Sequence, residues 1–223
     1  MNIRIYILTA FLIFAGGMAQ QLFAQSQSLQ KENPQTDSSF FDHFAWTNSS
    51  KVDIHEINII GGYSFHSTRG FWGKIPRADL QLYALRYNRK LLTYNKRHLI
   101  EYVAELNLAA NYTIDPSRSY RSGTYTGLGI SPIGFQINWG RSNSVQPFFK
   151  SSGGFMYFRQ PFPDNRGVKF NFTLELGAGV EFILAEDLSF SIGYKYHHMS
   201  NGQFGQINPG VDSNVFYTGF TIF

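Results

Sequence analysis

Near the end of the chain, Tyr194-Lys195-Tyr196-His197-His198-Met199-Ser200-Asn201-Gly202 places a histidine two residues before a serine, and a carboxylate follows at Asp212. These are the residue types of nucleophilic ester hydrolysis. A serine hydroxyl is a weak nucleophile at neutral pH and needs an adjacent base. An imidazole supplies that base, and a carboxylate fixes the imidazole's tautomer and stabilises its charged form. The spacing suits a β-strand, on which side chains alternate faces, so residues two apart share a face. On this reading Ser200 is the nucleophile, His198 the base and then the acid, and Asp212 the orienting group. Asn201, with the backbone amides of Asn201 and Gly202, is placed to stabilise an oxyanion. Such chemistry calls for no metal or cofactor. The competing reading is structural: polar residues are common at strand ends, and an Asn-Gly pair often marks a turn. The acid, across one hairpin, is what favours catalysis.

The elements that must position these residues are strands. From Val52 onward, segments of alternating hydrophobicity recur between Gly, Pro, Asn and Asp, the signal for strands and turns. Strands are predicted at 54–66, 78–89, 97–112, 122–139, 145–158, 168–184, 188–199 and 211–223, eight in all. An even number of strands, each long enough to cross the hydrocarbon when tilted, predicts an eight-stranded antiparallel up-and-down β-barrel of the outer-membrane type. In the seventh strand Leu188, Phe190, Ile192, Tyr194, Tyr196, His198 and Ser200 share one parity and are expected to face lipid. Ser189, Ser191, Gly193, Lys195 and His197 share the other and face the interior, which makes His197 structural. In the eighth strand both parities carry apolar residues. If Phe216, Phe220 and Ile222 face lipid, Asp212 stands on the same wall as His198 and Ser200. Lipids present esters to such a wall, which favours an ester substrate over an amide.

The whole chain fits this frame. Residues 1–24 have one positive charge at Arg4, a short apolar run and small residues after it, the layout of a secretory signal peptide. Residues 25–51 form a polar periplasmic lead-in with one apolar island at Phe40-Phe41 and Phe44-Ala45-Trp46, expected to be part disordered and part docked at the barrel mouth, and 52–223 form the barrel. Aromatic residues make up 17% and charged residues 15%, whereas about a quarter of a soluble domain is charged. The 22 Phe and 13 Tyr serve a lipid-facing band and its interfacial girdles. A soluble lipocalin-like barrel would alternate too, but with water outside and apolar residues inside. The formal charge of +4 is spread along the chain with no basic cluster among stacking aromatics, which excludes nucleic acid as a partner. With the first strand rising from the periplasm, the outer loops are 67–77, 113–121, 159–167 and 201–210 and the inner turns 90–96, 140–144 and 185–187. The expected location is the outer membrane of a Gram-negative bacterium, with the site in the outer leaflet and membrane lipid around it.

The residues His198, Ser200 and Asn201, followed by an acid twelve residues beyond the serine at Asp212, resemble the site of the lipid A 3-O-deacylase (PagL) family and of the wider acyloxyacyl-hydrolase-like group. The run Asn208-Pro209-Gly210-Val211-Asp212 resembles that family's approach to its acid. A weaker likeness extends through Gly129-Ile130-Ser131-Pro132-Ile133-Gly134, Pro147-Phe148 and Gly153-Gly154-Phe155. One departure stands out, since the family carries a glutamate where this chain has Asp212. Aspartate is a methylene shorter, so the backbone must come closer. The resemblance implies lipid A, the anchor of lipopolysaccharide, as substrate, with removal of an ester-linked 3-hydroxyacyl chain. Arg69, Lys74, Arg77, Arg118, Arg121, Arg159, Arg166 and Lys169 lie in or beside the outer loops, where phosphates would be met; each singly reads as an ordinary solvated charge. Outer-membrane phospholipase A is similar as well, with a His-x-Ser-Asn-Gly run and calcium, but in a larger barrel with its motif mid-chain. The alternatives are therefore that phospholipase chemistry or a small barrel without enzymatic activity.

Overall fold

A computed structural model describes residues 44–46, 55–67, 71–75, 77–94, 98–116, 122–140 and 144–223. The predicted signal peptide, most of the 25–51 lead-in, and Arg69, Arg118 and Arg121 lie outside the described residues. Among the described residues there are nine strands: β1 (Phe44–Trp46), β2 (His55–Ser64), β3 (Ala78–Tyr94), β4 (His98–Ile114), β5 (Gly123–Trp139), β6 (Val145–Phe162), β7 (Val168–Ala185), β8 (Leu188–Ser200) and β9 (Val211–Ile222). Strands β2 to β9 pair antiparallel, each with the next, and β9 returns to β2 from Ile57↔Ile222 to Tyr63↔Phe216. Eight antiparallel strands thus close a ring. Closure satisfies the backbone groups within the sheet, the condition for a strand protein to sit in lipid. The short β1 adds to the rim of this ring, pairing with β3 through Phe44↔Tyr94, Ala45↔Thr93 and Trp46↔Leu92. The apolar island therefore docks by strand pairing.

Period-two alternation sorts the side chains. Outward positions carry Ile57, Ile59, Leu85, Leu106, Leu128, Phe149, Ile192, Phe216 and Phe220, all exposed. Inward positions carry charge. Lys195 Nζ lies 2.8 Å from both Glu105 Oε1 and Glu175 Oε1, Lys150 Nζ lies 2.8 Å from Glu105 Oε2, and Arg86 Nε lies 3.1 Å from the same oxygen. His197 Nδ1 meets Glu175 Oε1 at 2.8 Å, fully buried, as expected of the inward histidine. Apolar residues outside and ion pairs inside are the reverse of a soluble barrel.

Two differences from the expected elements have local causes. β3 runs on to Tyr94, since Leu92, Thr93 and Tyr94 pair with Ile100, Leu99 and His98 past a bulge between Lys90 and Leu92. The predicted first inner turn, 90–96, is thereby cut short, since β3 ends at Tyr94 and β4 begins at His98. The outer third of the interior is apolar instead of polar: Leu80, Leu82, Tyr112, Met156, Phe158, Met199, Val211 and Val215 form one buried cluster, completed by Ile75 from the first outer loop. Ile75 ties this apolar plug to the first outer loop.

Candidate active site

The site is built where β8 ends and β9 begins. The antiparallel register sets Met199 opposite Val211 and His198 opposite Asp212. Residues directly opposite on one face have their Cβ atoms about 5 Å apart, close enough for a short carboxylate to reach an imidazole. His198 Nδ1 lies 2.6 Å from Asp212 Oδ1. With a carboxylate as acceptor, Nδ1 carries the proton and Nε2 is left to act as a base. Both residues have the parity of Phe216 and Phe220, whose exposed rings mark the lipid-facing wall. Asp212 is nonetheless 1% exposed, because the first outer loop covers it.

Ser200 stands two residues beyond His198 on the same wall, and its cross-strand neighbour on β7 is Phe172. Among the described residues no hydrogen bond reaches its Oγ. The structure therefore joins His198 to Asp212 and sets Ser200 beside them, unjoined. Catalytic hydrogen bonds often tighten only once substrate is bound.

Asn201 has a different surrounding from the one its position suggested. Its backbone N–H donates to Asn208 Oδ1 at 3.0 Å, its Nδ2 donates to Ile207 O at 2.8 Å, and its Oδ1 accepts from Gln203 N–H at 3.0 Å. At 2% exposure it is the hub of the 201–210 loop. Gly202 takes a positive φ of 63°, a conformation that favours glycine, and a Cβ there would sit 3.0 Å from the Phe172 ring. That turn lays the loop against the wall beside Ser200.

Trp72 and Gly73 were not singled out from the sequence, and Gly210 only as part of the run that leads to Asp212. Trp72 and Gly73 donate their backbone N–H groups to Asp212 Oδ2 at 3.0 and 2.8 Å. The Trp72 ring packs edge-on against His198, with centroids 5.3 Å apart. Gly210 has a φ of 63°, and its missing side chain makes room for His198 Cε1, 3.2 Å from where a Cβ would stand. The available signal was Phe71-Trp72-Gly73 itself, two aromatic residues and a glycine in a predicted outer loop. Of the basic loop residues, Lys74, Arg77, Arg159 and Lys169 are exposed. Arg166 is engaged by Asp164 of its own loop at 2.7 Å.

Comparison with known proteins draws on this geometry. Among solved structures, the outer membrane enzyme PagL matches with a TM-score of 0.55 at 15% identity, over 73% of this chain and 97% of that one. OprG from Pseudomonas aeruginosa matches at 0.45 and 15% identity, over 75% and 94% of the two chains. Outer Membrane Protein W of E. coli matches at 0.44 and 12%, over 78% and 100%. No curated protein matches. The family model described as lipid A 3-O-deacylase (PagL) matches residues 81–221, a span that holds His198, Ser200 and Asp212 but not Trp72 or Gly73. The chain belongs to the lipid A 3-O-deacylase (PagL) family, barrels of the Gram-negative outer membrane.

Proposed function

We propose that this protein is an outer-membrane serine esterase that removes an ester-linked 3-hydroxyacyl chain from lipid A, with Ser200, His198 and Asp212 as its triad. The observation that carries the reading is the 2.6 Å contact between His198 Nδ1 and Asp212 Oδ1 on a lipid-facing wall, with Ser200 on the same face. Ser200 Oγ attacks the ester carbonyl carbon while His198 Nε2 takes its proton, and Asp212 stabilises the imidazolium that forms. The oxyanion of the tetrahedral intermediate is met by the Gly202 N–H and the second hydrogen of Asn201 Nδ2. Collapse expels the sugar hydroxyl, protonated by His198, and leaves the acyl chain on Ser200. Water, deprotonated by His198, then frees the 3-hydroxy fatty acid and restores the serine.

Family membership supports the substrate, and the position of the site beside the longer connections, which in such barrels are extracellular, supports access to outer-leaflet esters. Purified protein in detergent, given lipid A, should release free 3-hydroxy fatty acid, and Ser200→Ala should release none. Release by a folded Ser200→Ala variant would remove the serine from the mechanism. No release by the wild-type protein would remove lipid A as substrate.

A further inference from the structure

The first outer loop lies against the start of β9, although 140 residues separate Trp72 from Asp212. Both oxygens of the Asp212 carboxylate are taken: Oδ2 by the N–H groups of Trp72 and Gly73, and Oδ1 by His198 Nδ1. The loop is fastened again just beyond this contact. Lys74 N–H donates to Pro209 O at 2.8 Å, and Ile75 N–H donates to Gly210 O at 3.3 Å. Ile75 is fully buried in the apolar plug, which ties the loop to the rigid interior. Approach this close is open to glycine alone. A Cβ on Gly73 would fall 2.5 Å from Asp212 N and 2.8 Å from Asp212 Cγ, inside the distance any side chain tolerates.

We infer, resting on the triad reading above, that residues 72–73 are a positioning element of the hydrolytic site. Their two backbone amides hold one oxygen of Asp212 so that the other stays on His198, and Gly73 is the positioning residue that lets them reach. A carboxylate held at one oxygen cannot rotate about its last bond, so the imidazole is offered one fixed acceptor. Two amide donors also favour the ionised form of the carboxylate, the form that orients the imidazole. The shorter acid of this chain and the close-lying loop are thus one arrangement.

The test is a two-by-two cycle of Gly73→Ala and Asp212→Asn in the full-length protein, with kcat and KM measured on a chromogenic short-chain ester. Gly73→Ala should lower kcat about 100-fold, the scale of an ångström-level misplacement, with KM little changed. Added to Asp212→Asn, it should change the rate by less than about threefold, since the group it positions is already disabled. Equal losses in both backgrounds would overturn the positioning role and leave Gly73 as a loop residue only. Histidine ¹⁵N NMR reads the same contact without turnover: the hydrogen-bonded Nδ1–H of His198 should be lost in folded Gly73→Ala, and its persistence would overturn the role. Folding is checked by the mobility of unheated protein on a gel. If Gly73→Ala does not fold, Trp72→Pro, which deletes one donor and leaves Gly73 in place, carries the same cycle. A wild-type protein no faster than Ser200→Ala on the ester would instead overturn the triad reading itself.

Discussion

His198 and His197 are adjacent in sequence and opposite in surroundings, and the difference is one of face. His198 points to lipid and meets Asp212, whereas His197 points inward and meets Glu175. Asp212→Asn keeps the shape of the acid but presents an N–H that favours the wrong imidazole tautomer, so kcat should fall about 10⁴-fold on a chromogenic ester. A loss below tenfold would contradict an orienting role. His197→Gln should keep turnover near the wild-type value in protein that remains folded, and a collapse of activity there would reassign the base. At this scale the shared face of His198, Ser200 and Asp212 was legible in the sequence, because strand parity and one hairpin settle who faces whom. What the sequence did not show is that Asn201 also ties its own loop, because local backbone geometry sets its bonds with Asn208, Ile207 and Gln203.

Strands carry the site by register, and the register is held from inside. Glu105 is shared among Arg86, Lys150 and Lys195 on β3, β6 and β8, and Glu175 between Lys150 and Lys195 on β6 and β8, so removing Lys195 leaves Glu105 Oε1 buried without the cation 2.8 Å from it. Lys195→Met should therefore lower the stability of the folded barrel by about 3–5 kcal/mol in a urea titration, with the chromogenic-ester activity of the folded fraction retained. A midpoint unchanged from wild type would show that the network contributes little. The strands themselves were legible, since the repeat of two is local and turn residues bound it. The β3 extension was missed because Lys90 and Leu91 sit at a bulge, which breaks the alternation where the strand continues. The apolar plug was hidden for a related reason: near the outer strand ends both faces are apolar, and period two then carries no information. The loop over Asp212 was out of reach altogether, because backbone N–H groups leave no mark on sequence and the partners lie 140 residues apart.

For the molecule as a whole, stability and function come from different surfaces. Lipid tails are as apolar as the outer wall, so that wall gains little by burial in the membrane, and the closed hydrogen-bond ladder with its packed interior holds the fold. The wall is thereby left free, and Ser200, His198 and Asp212 stand on it where β8 meets β9. On the proposed reading that end lies in the outer leaflet, and position selects substrate before chemistry does. The most direct measurement is a mass spectrum of lipid A from Gram-negative cells producing either the wild-type protein or Ser200→Ala at equal levels in the outer membrane. The wild-type protein should shift lipid A down by the mass of one 3-hydroxyacyl chain, and Ser200→Ala should leave it unshifted. An unshifted spectrum with folded, inserted wild-type protein, or the same shift with Ser200→Ala, would contradict the account.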